Sequence, residues 1–306
     1  MKGRAMAAGR SDGFEVVGAG VLFGEGPVWC PEDDSVVCVA VASGLVHRVL
    51  PGERRTVVIA DVGGGPNAAA PAVGGGFLIT QNGGIDFSIH DLPGFDSLPP
   101  TRPRTPGLQH VKADGSVSLV ATHDRNGAAM VGPNDLVTMP DGTMYFTDPG
   151  HFPLPPEPAG RVLRLNPDGT IDQVAGGFTY CNGIARDHLG RLLIVEGNGL
   201  MYMEPDGATD WFIEDLGGVA GDGFAVDVEG NAYVCCPGDD RVRVVTPDGA
   251  IEEFIHFPEH SFPTNCCFGG SDNRSLFVTL SVAQTVVRVE HMPAAGTPVI
   301  PWPGPV

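Results

Sequence analysis

Six segments of the chain open on a side chain that ends in oxygen. They are Glu25 in GEGPVWCPEDDSVVCV, Asn67 in GPNAAAPAVGGGFLITQ, Asn134 in GPNDLVTMPDGTMYFTD, Asn182 in CNGIARDHLGRLLIVE, Asp222 in GDGFAVDVEGNAYVCC and Asn265 in TNCCFGGSDNRSLFVT. Eight residues further on stand Asp33, Gly75, Gly142, Gly190, Gly230 and Asn273, residue types that tolerate the positive φ of a tight turn. A β-prone run follows each turn. Asp, Glu and Asn together make up under a sixth of the chain, 37 acidic residues and 10 asparagines in 306, so six of them in one register is a pattern rather than chance. If these positions converge, they form a ring of oxygen donors. Two carboxylates balance the charge of a hard divalent cation and the amides complete its shell.

Convergence requires a particular architecture. After each of these hairpins the sequence supplies a further strand–turn–strand, as in RVLRLNPDGTIDQV from Arg161, LMYMEPDGATDWFI from Leu200 and RVRVVTPDGAIEEF from Arg241. Proline at the turn entry and glycine in the left-handed position give these turns a mechanism. The unit starts are spaced by 42, 67, 48, 40 and 43 residues. Four-stranded units at this period are the sequence signature of propeller blades. The sixth unit supplies only three strands, ending at TVVRVEH, and the run FEVVGAGVLF from Phe14 supplies the fourth. Closing the ring in this way leaves no open sheet edge. The expectation is an all-β fold, a six-bladed β-propeller with four antiparallel strands per blade. Residues 1–13 are expected to form a flexible N-terminus and residues 14–306 a single domain.

Composition agrees with many short strands and tight turns: 44 glycines and 28 prolines stand against 7% aromatic residues. A formal charge of −19 repels phosphate backbones, which excludes nucleic acid as a partner. No apolar leader and no run of eighteen apolar residues occurs, so the sequence predicts neither a signal peptide nor a membrane span. The seven cysteines are odd in number and include the adjacent pairs Cys235-Cys236 and Cys266-Cys267. They read as reduced strand residues, which places the chain in the cytoplasm. Without paired CxxC motifs there is no structural zinc site. The absence of GxSxG argues against a nucleophilic serine, and the GGG runs at Gly63 and Gly74 read as turns, since no phosphate-loop lysine follows.

The motifs EGPVW, GPND with YFTDP, NGIARD, GDGFAVD and PTNCCFGG together resemble the gluconolactonase, regucalcin (senescence marker protein) and luciferin-regenerating enzyme family, in order and spacing from Glu25 to about Val289. The resemblance implies a six-bladed propeller that hydrolyses a small-molecule lactone with one divalent metal. Calcium best suits an all-oxygen donor set; zinc, manganese and magnesium are the alternatives. It also implies that Glu25, Asn134, Asn182 and Asp222 hold the metal and that Asp222 is the catalytic base, or the nucleophile. Diisopropyl fluorophosphatase resembles the same scaffold and metal quartet. Many sugar lactonases of the family carry a substrate-binding arginine at the position of Gly132, and the second blade here offers Thr80, Gln81 and Asn82 in place of charged pocket residues. A simple aldonolactone is therefore not the expected substrate.

Asn67, Gln81, Asn82, His151, Phe152 and Asn265 are candidate substrate-binding residues. Proline-rich insertions at about 91–107 and 150–160 must be loops, because proline cannot join a sheet interior. The second should rim the metal mouth, and the first packs over blade edges. Asp148 and Glu196, fourteen residues after Asn134 and Asn182, either orient ligand amides or simply end strands. Cys181 reads as core, and Trp29 and Trp211 as packing between blades. Three functions compete. The first is a metal-dependent lactone hydrolase. The second uses the same metal for phosphotriester cleavage or a biosynthetic lyase or isomerase step. The third is a non-catalytic interaction propeller. No protein partner is implied.

Overall fold

The computed structural model describes residues 13–90, 92–150 and 154–304. They form six sheets of four antiparallel strands. The innermost strands of blades 1 to 6 are Gly24–Cys30, Pro66–Pro71, Leu136–Thr138, Cys181–Arg186, Phe224–Val226 and Pro263–Gly269. Each packs beside the next, and that of blade 6 returns to that of blade 1. The outermost strand of blade 6 is Phe14–Ala19, paired with Thr285–Val289, so the N-terminal strand closes the ring as the sequence requires. The core lies between blades. Trp29 stacks on Phe277 at 5.3 Å across the blade 6–blade 1 junction. Trp211 departs from expectation: it sits on the outermost strand of blade 4 and is 40% exposed, because that strand faces solvent rather than a neighbouring sheet. All seven cysteines are buried thiols, and Cys181 is fully enclosed.

Buried hydroxyls cross the blade junctions. Thr80 of blade 2 donates to the carbonyl of Asn134 in blade 3. Thr147 of blade 3 donates to the carbonyl of Asn182 in blade 4 at 2.7 Å. Thr264 and Ser281 of blade 6 donate to the carbonyl of Gly24 in blade 1, at 2.7 and 2.5 Å. An inner-strand carbonyl beside the axis has no ladder partner on its channel side. A hydroxyl from the preceding blade satisfies it and fixes one blade against the next.

Two short 3-10 turns, Phe87–Ile89 just ahead of the first insertion and Phe95–Ser97 within it, lead towards the next strand at Gly107, with no strand between them among the described residues. Phe95, which the sequence left open as a lid residue or a packing residue, is buried against Phe23, Phe87 and Phe262. In the second insertion His151 and Phe152 lie outside the described residues, as does the N-terminus before residue 13. The last segment belongs to no blade. It runs beneath the ring from a bridge between Asp227 and Gly296 to one between Ala72 and Trp302, and Thr297–Ile300 floor a cavity of about 160 Å³ on the axis.

The junction hydroxyls generate a test. Thr147→Val keeps the shape and removes the donor, leaving a buried carbonyl unpaired, and should cost about 1–3 kcal/mol. The exposed Thr209→Val should stay within about 0.5 kcal/mol. Equal urea midpoints for the two variants would show that the hydroxyl does not fasten the junction.

Candidate metal and active site

The ring forms where the six inner strands begin, and glycine permits it. Gly26 has a φ of +48°, and a Cβ there would strike the backbone of Asn67 and Ala68 in the next blade. A Cβ on Gly183 would stand 2.5 Å from the carbonyl of Asp222. One on Gly223 would collide with the carboxamide of Asn265. The EG, NG and DG pairs thus mark the places where one blade's ring residue is followed by backbone that the next blade's ring segment must touch.

Five of the six positions are as the spacing places them, and the sixth is shifted by one. Thr80 pairs with Ala68, the residue after Asn67, across twelve residues, whereas Thr279 pairs with Asn265 across fourteen. The blade 6 hairpin is one residue pair longer, so the residue equivalent to Asn67 is Thr264. Asn265 lies one step further along the channel, level with Asp135. Blades 3 and 6 are opposite in the ring, and there the Asn265 amide donates to both oxygens of Asp135, at 2.9 and 3.0 Å. It also bonds Glu25. This bridge spans the channel beneath the ring.

Asp135 was not singled out from sequence. It was accessible in principle: among the residues that follow ring members in blades 1 to 5, Gly26, Ala68, Asp135, Gly183 and Gly223, it alone titrates. Three carboxylates consequently share one buried space. Desolvation, reinforced by Asp222 and Asp135, holds the Glu25 carboxyl well above the usual range. Desolvation and then Asp135 do the same to Asp222, which is only partly covered by its neighbours yet lies within the channel. Burial pushes Asp135 up to about 7, against the opposing bond from Asn265.

The amides are arranged around these acids. Asn182 bonds Asp222, while its own Oδ1 is buried and has no hydrogen-bond partner. Asn134 Oδ1 accepts from Asn67 Nδ2 at 3.0 Å, and Asn67 Oδ1 accepts from Asn82 Nδ2 at 3.2 Å. Asn82 and Asn67 therefore form a chain that fixes which way the Asn134 oxygen points. The Gln81 amide is spent within the protein: its oxygen takes the N–H groups of Gly65 and Gly83 at 2.6 and 3.0 Å, and its nitrogen reaches Gly63 O and Gln109.

Gln81, Asp148 and Glu196 prove to have one task. Gln81 grips the turn two residues ahead of Asn67. Asp148 takes the N–H groups of Val131 and Gly132, just ahead of Asn134, at 3.1 and 2.6 Å, and is braced by Arg161 at 2.8–2.9 Å. Glu196 takes those of Thr179 and Tyr180, just ahead of Asn182, at 2.6 and 3.1 Å. These side chains hold the loops that deliver ring residues. Tyr180, also unremarked in the sequence, brings a phenol to the site. Burial and then the carboxylates of Asp222 and Glu25, the charges it feels most, hold it protonated.

The set fits a divalent cation. Clustered buried carboxylates that resist ionisation lack a compensating charge, and an amide oxygen that is buried without a donor lacks a partner. One hard cation answers both, and every surrounding donor is oxygen.

A family model, the SMP-30/Gluconolactonase/LRE-like region, matches residues 23–282. A gluconolactonase of Zymomonas mobilis is 24% identical over 305 residues, covering 90% of this chain and 80% of that protein. A diisopropyl-fluorophosphatase of Loligo vulgaris is 26% identical over 194 residues, covering 56% and 62%. Among solved structures, a calcium-binding protein, regucalcin, from Agrobacterium tumefaciens superimposes with a TM-score of 0.77 at 18% identity, covering 97% of this chain and 99% of that one, a likeness of fold. The chain belongs to the SMP-30/gluconolactonase/LRE-like family.

Proposed function

We propose that the chain is a divalent-cation-dependent hydrolase that opens a lactone. The observation that carries this reading is Asn182, which spends its amide on Asp222 and keeps a buried, unpartnered oxygen beside it. The names of relatives add support: besides the Zymomonas protein they include a pentonolactonase and a 6-deoxy-6-sulfogluconolactonase. In this reading Glu25, Asn134, Asn182 and Asp222 hold the cation, with calcium the metal of choice for such donors. When bound, the cation supplies a Lewis acid for the lactone carbonyl.

The remaining work falls to the chain. Asn67 and Asn82 keep the Asn134 oxygen aimed into the channel, and the Asp135–Asn265 bridge closes the site from below. Asp222 either takes the proton from the attacking water or attacks the carbonyl carbon itself. As base, it returns that proton to the ring oxygen as the carbon–oxygen bond breaks. As nucleophile, it forms an anhydride while the ring oxygen leaves and takes a proton from water, whose hydroxide then cleaves the anhydride and frees the carboxylate; on either route one water is consumed and one hydroxy acid is released. The Asn182 amide orients the Asp222 carboxylate throughout. The Loligo relative motivates a second reading, phosphotriester cleavage at the same site. Turnover of a lactone panel beside a phosphotriester panel decides between them; activity on neither favours a lyase or isomerase step.

Linkage makes the cation testable without turnover. Glu25, Asp135 and Asp222 bind protons more tightly folded than unfolded. Their stabilisation of the metal-free fold is complete below the ordinary carboxylate range, near pH 4, and is lost as pH rises through their folded values, about 7 for Asp135. Chelator-stripped protein should therefore melt lower at pH 8 than at pH 5, and added calcium should restore the loss at pH 8. A melting temperature at pH 8 that neither chelator nor calcium moves would sink the cation reading.

Two substitutions separate holding the cation from chemistry. Glu25→Gln removes charge, so its metal affinity should fall by more than the roughly 10–100-fold typical of an outer partner, and excess metal should recover activity. Asp222→Asn keeps a donor oxygen but not the base. Its kcat should fall by about 10²–10⁴, unrescued by metal. Near-native turnover in Asp222→Asn would reduce that residue to a ligand.

A further inference from the structure

The residue two places ahead of each ring member stands at the rim of the channel mouth. In ring order these residues are Phe23, Gly65, Gly132, Tyr180, Ala220 and Phe262. The series is uneven, and none of the six is charged. Blades 6 and 1, which are neighbours, contribute Phe262 and Phe23, with ring centroids 6.0 Å apart. Blade 4, opposite blade 1, contributes Tyr180. The other three blades contribute a hydrogen or a methyl group.

The aromatic side is built deliberately. Phe23 and Phe262 both adopt left-handed backbone, with φ of +53° and +56°. This is costly for a bulky residue and persists only where its surroundings impose it. Asp240 receives the N–H of Phe262 at 2.8 Å, and Phe87 and, from the first insertion, Phe95 pack on the pair. Phe262 remains partly exposed. On the blade 3 side Gly132 has no side chain, and Val131 beside it is 45% exposed. The guanidinium of Arg161 on this side is committed to Asp148 and to Ala129 O, and that of Arg104 lies against Gly63 on the blade 2 side. A polyhydroxylated ring entering here would lose water from its hydroxyls and find few partners for them.

We infer that this rim selects a lactone bearing an apolar, preferably aryl, substituent over a polyhydroxylated one. The substituent lies against Phe262, with Tyr180 on the far side of the mouth. The inference rests on the lactonase reading and names its substrate class.

The test compares kcat/KM of the calcium-loaded protein for γ-phenyl-γ-butyrolactone and D-glucono-1,5-lactone, with direct titration of the phenyl lactone as a second readout. The phenyl lactone should be preferred at least tenfold. Phe262→Ala should erase about 10–200-fold of its kcat/KM, chiefly through KM. Phe262→Leu, which keeps bulk in the cluster, should give a smaller loss in the same direction if the alanine variant fails to fold. Equal or better turnover of gluconolactone overturns the inference and leaves the lactonase reading standing. If neither lactone is hydrolysed, the lactonase reading falls and titration decides. Phenyl lactone binding that weakens in Phe262→Leu upholds the substrate class, and no binding overturns it.

Discussion

Three carboxylates that cannot all ionise without help share the channel of this propeller. Two unit charges about 4 Å apart repel by about 4 kcal/mol even at an effective dielectric of 20, and a third multiplies the cost. Glu25, Asp135 and Asp222 come from three different blades, and the charges that raise the first and last are other members of the trio. Their neighbours are disposed accordingly. Asn265 ties Asp135, Asn182 ties Asp222, and Asn67 ties Asn134, so that the remaining oxygens face one space. In the proposed reading a cation completes this amide network.

The same constraint explains which parts of the site were legible in the sequence. The EG, NG and DG pairs are local signals, because each glycine answers a steric demand made one residue after the ring member. The blade period is legible too, since turns with positive φ accept few residue types. Pairings across the channel are not. Asn265 and Asp135 are 130 residues apart, and Asn67 and Asn134 are 67 apart, so no local pattern reports either bond. The slip in blade 6 has the same origin. A hairpin one pair longer moves every inward position by one, and counting back from Thr279 at the spacing of the other blades gives Asn265 rather than Thr264. Trp211 was misread for a different reason: an aromatic residue on a strand looks alike whether its sheet face is covered by a neighbour or left to solvent.

Much of the polar inventory around the mouth works through backbone. Gln81, Asp148 and Glu196 occupy equivalent places in three blades and grip the N–H groups of the loop that precedes each ring residue. The sequence offered Gln81 as a substrate contact and Asp148 and Glu196 as ligand-orienting residues or strand ends; all three do end their strands, and there they grip loop backbone. A loop at a sheet end carries donors without ladder partners, and a side chain from the second strand of the same blade is the nearest acceptor. Once that acceptor is fixed, the ring residue two or three positions later has little freedom left. Precision at the centre of the channel is thus obtained from hydrogen bonds at its rim.

This division of labour separates what binds from what selects. The ring segments are constrained by the backbone of the next blade, which Gly26, Gly183 and Gly223 closely approach, and in the proposed reading by a cation as well. The positions two residues earlier carry neither constraint. The main chain of four of them, Phe262, Gly65, Gly132 and Tyr180, is held by Asp240, Gln81, Asp148 and Glu196 in turn, and glycine, phenylalanine and tyrosine all occur at these places. A fold shared among lactonases and a fluorophosphatase is therefore no guide to substrate, and the uneven rim of Phe23, Phe262 and Tyr180 is the part of this chain that speaks to it.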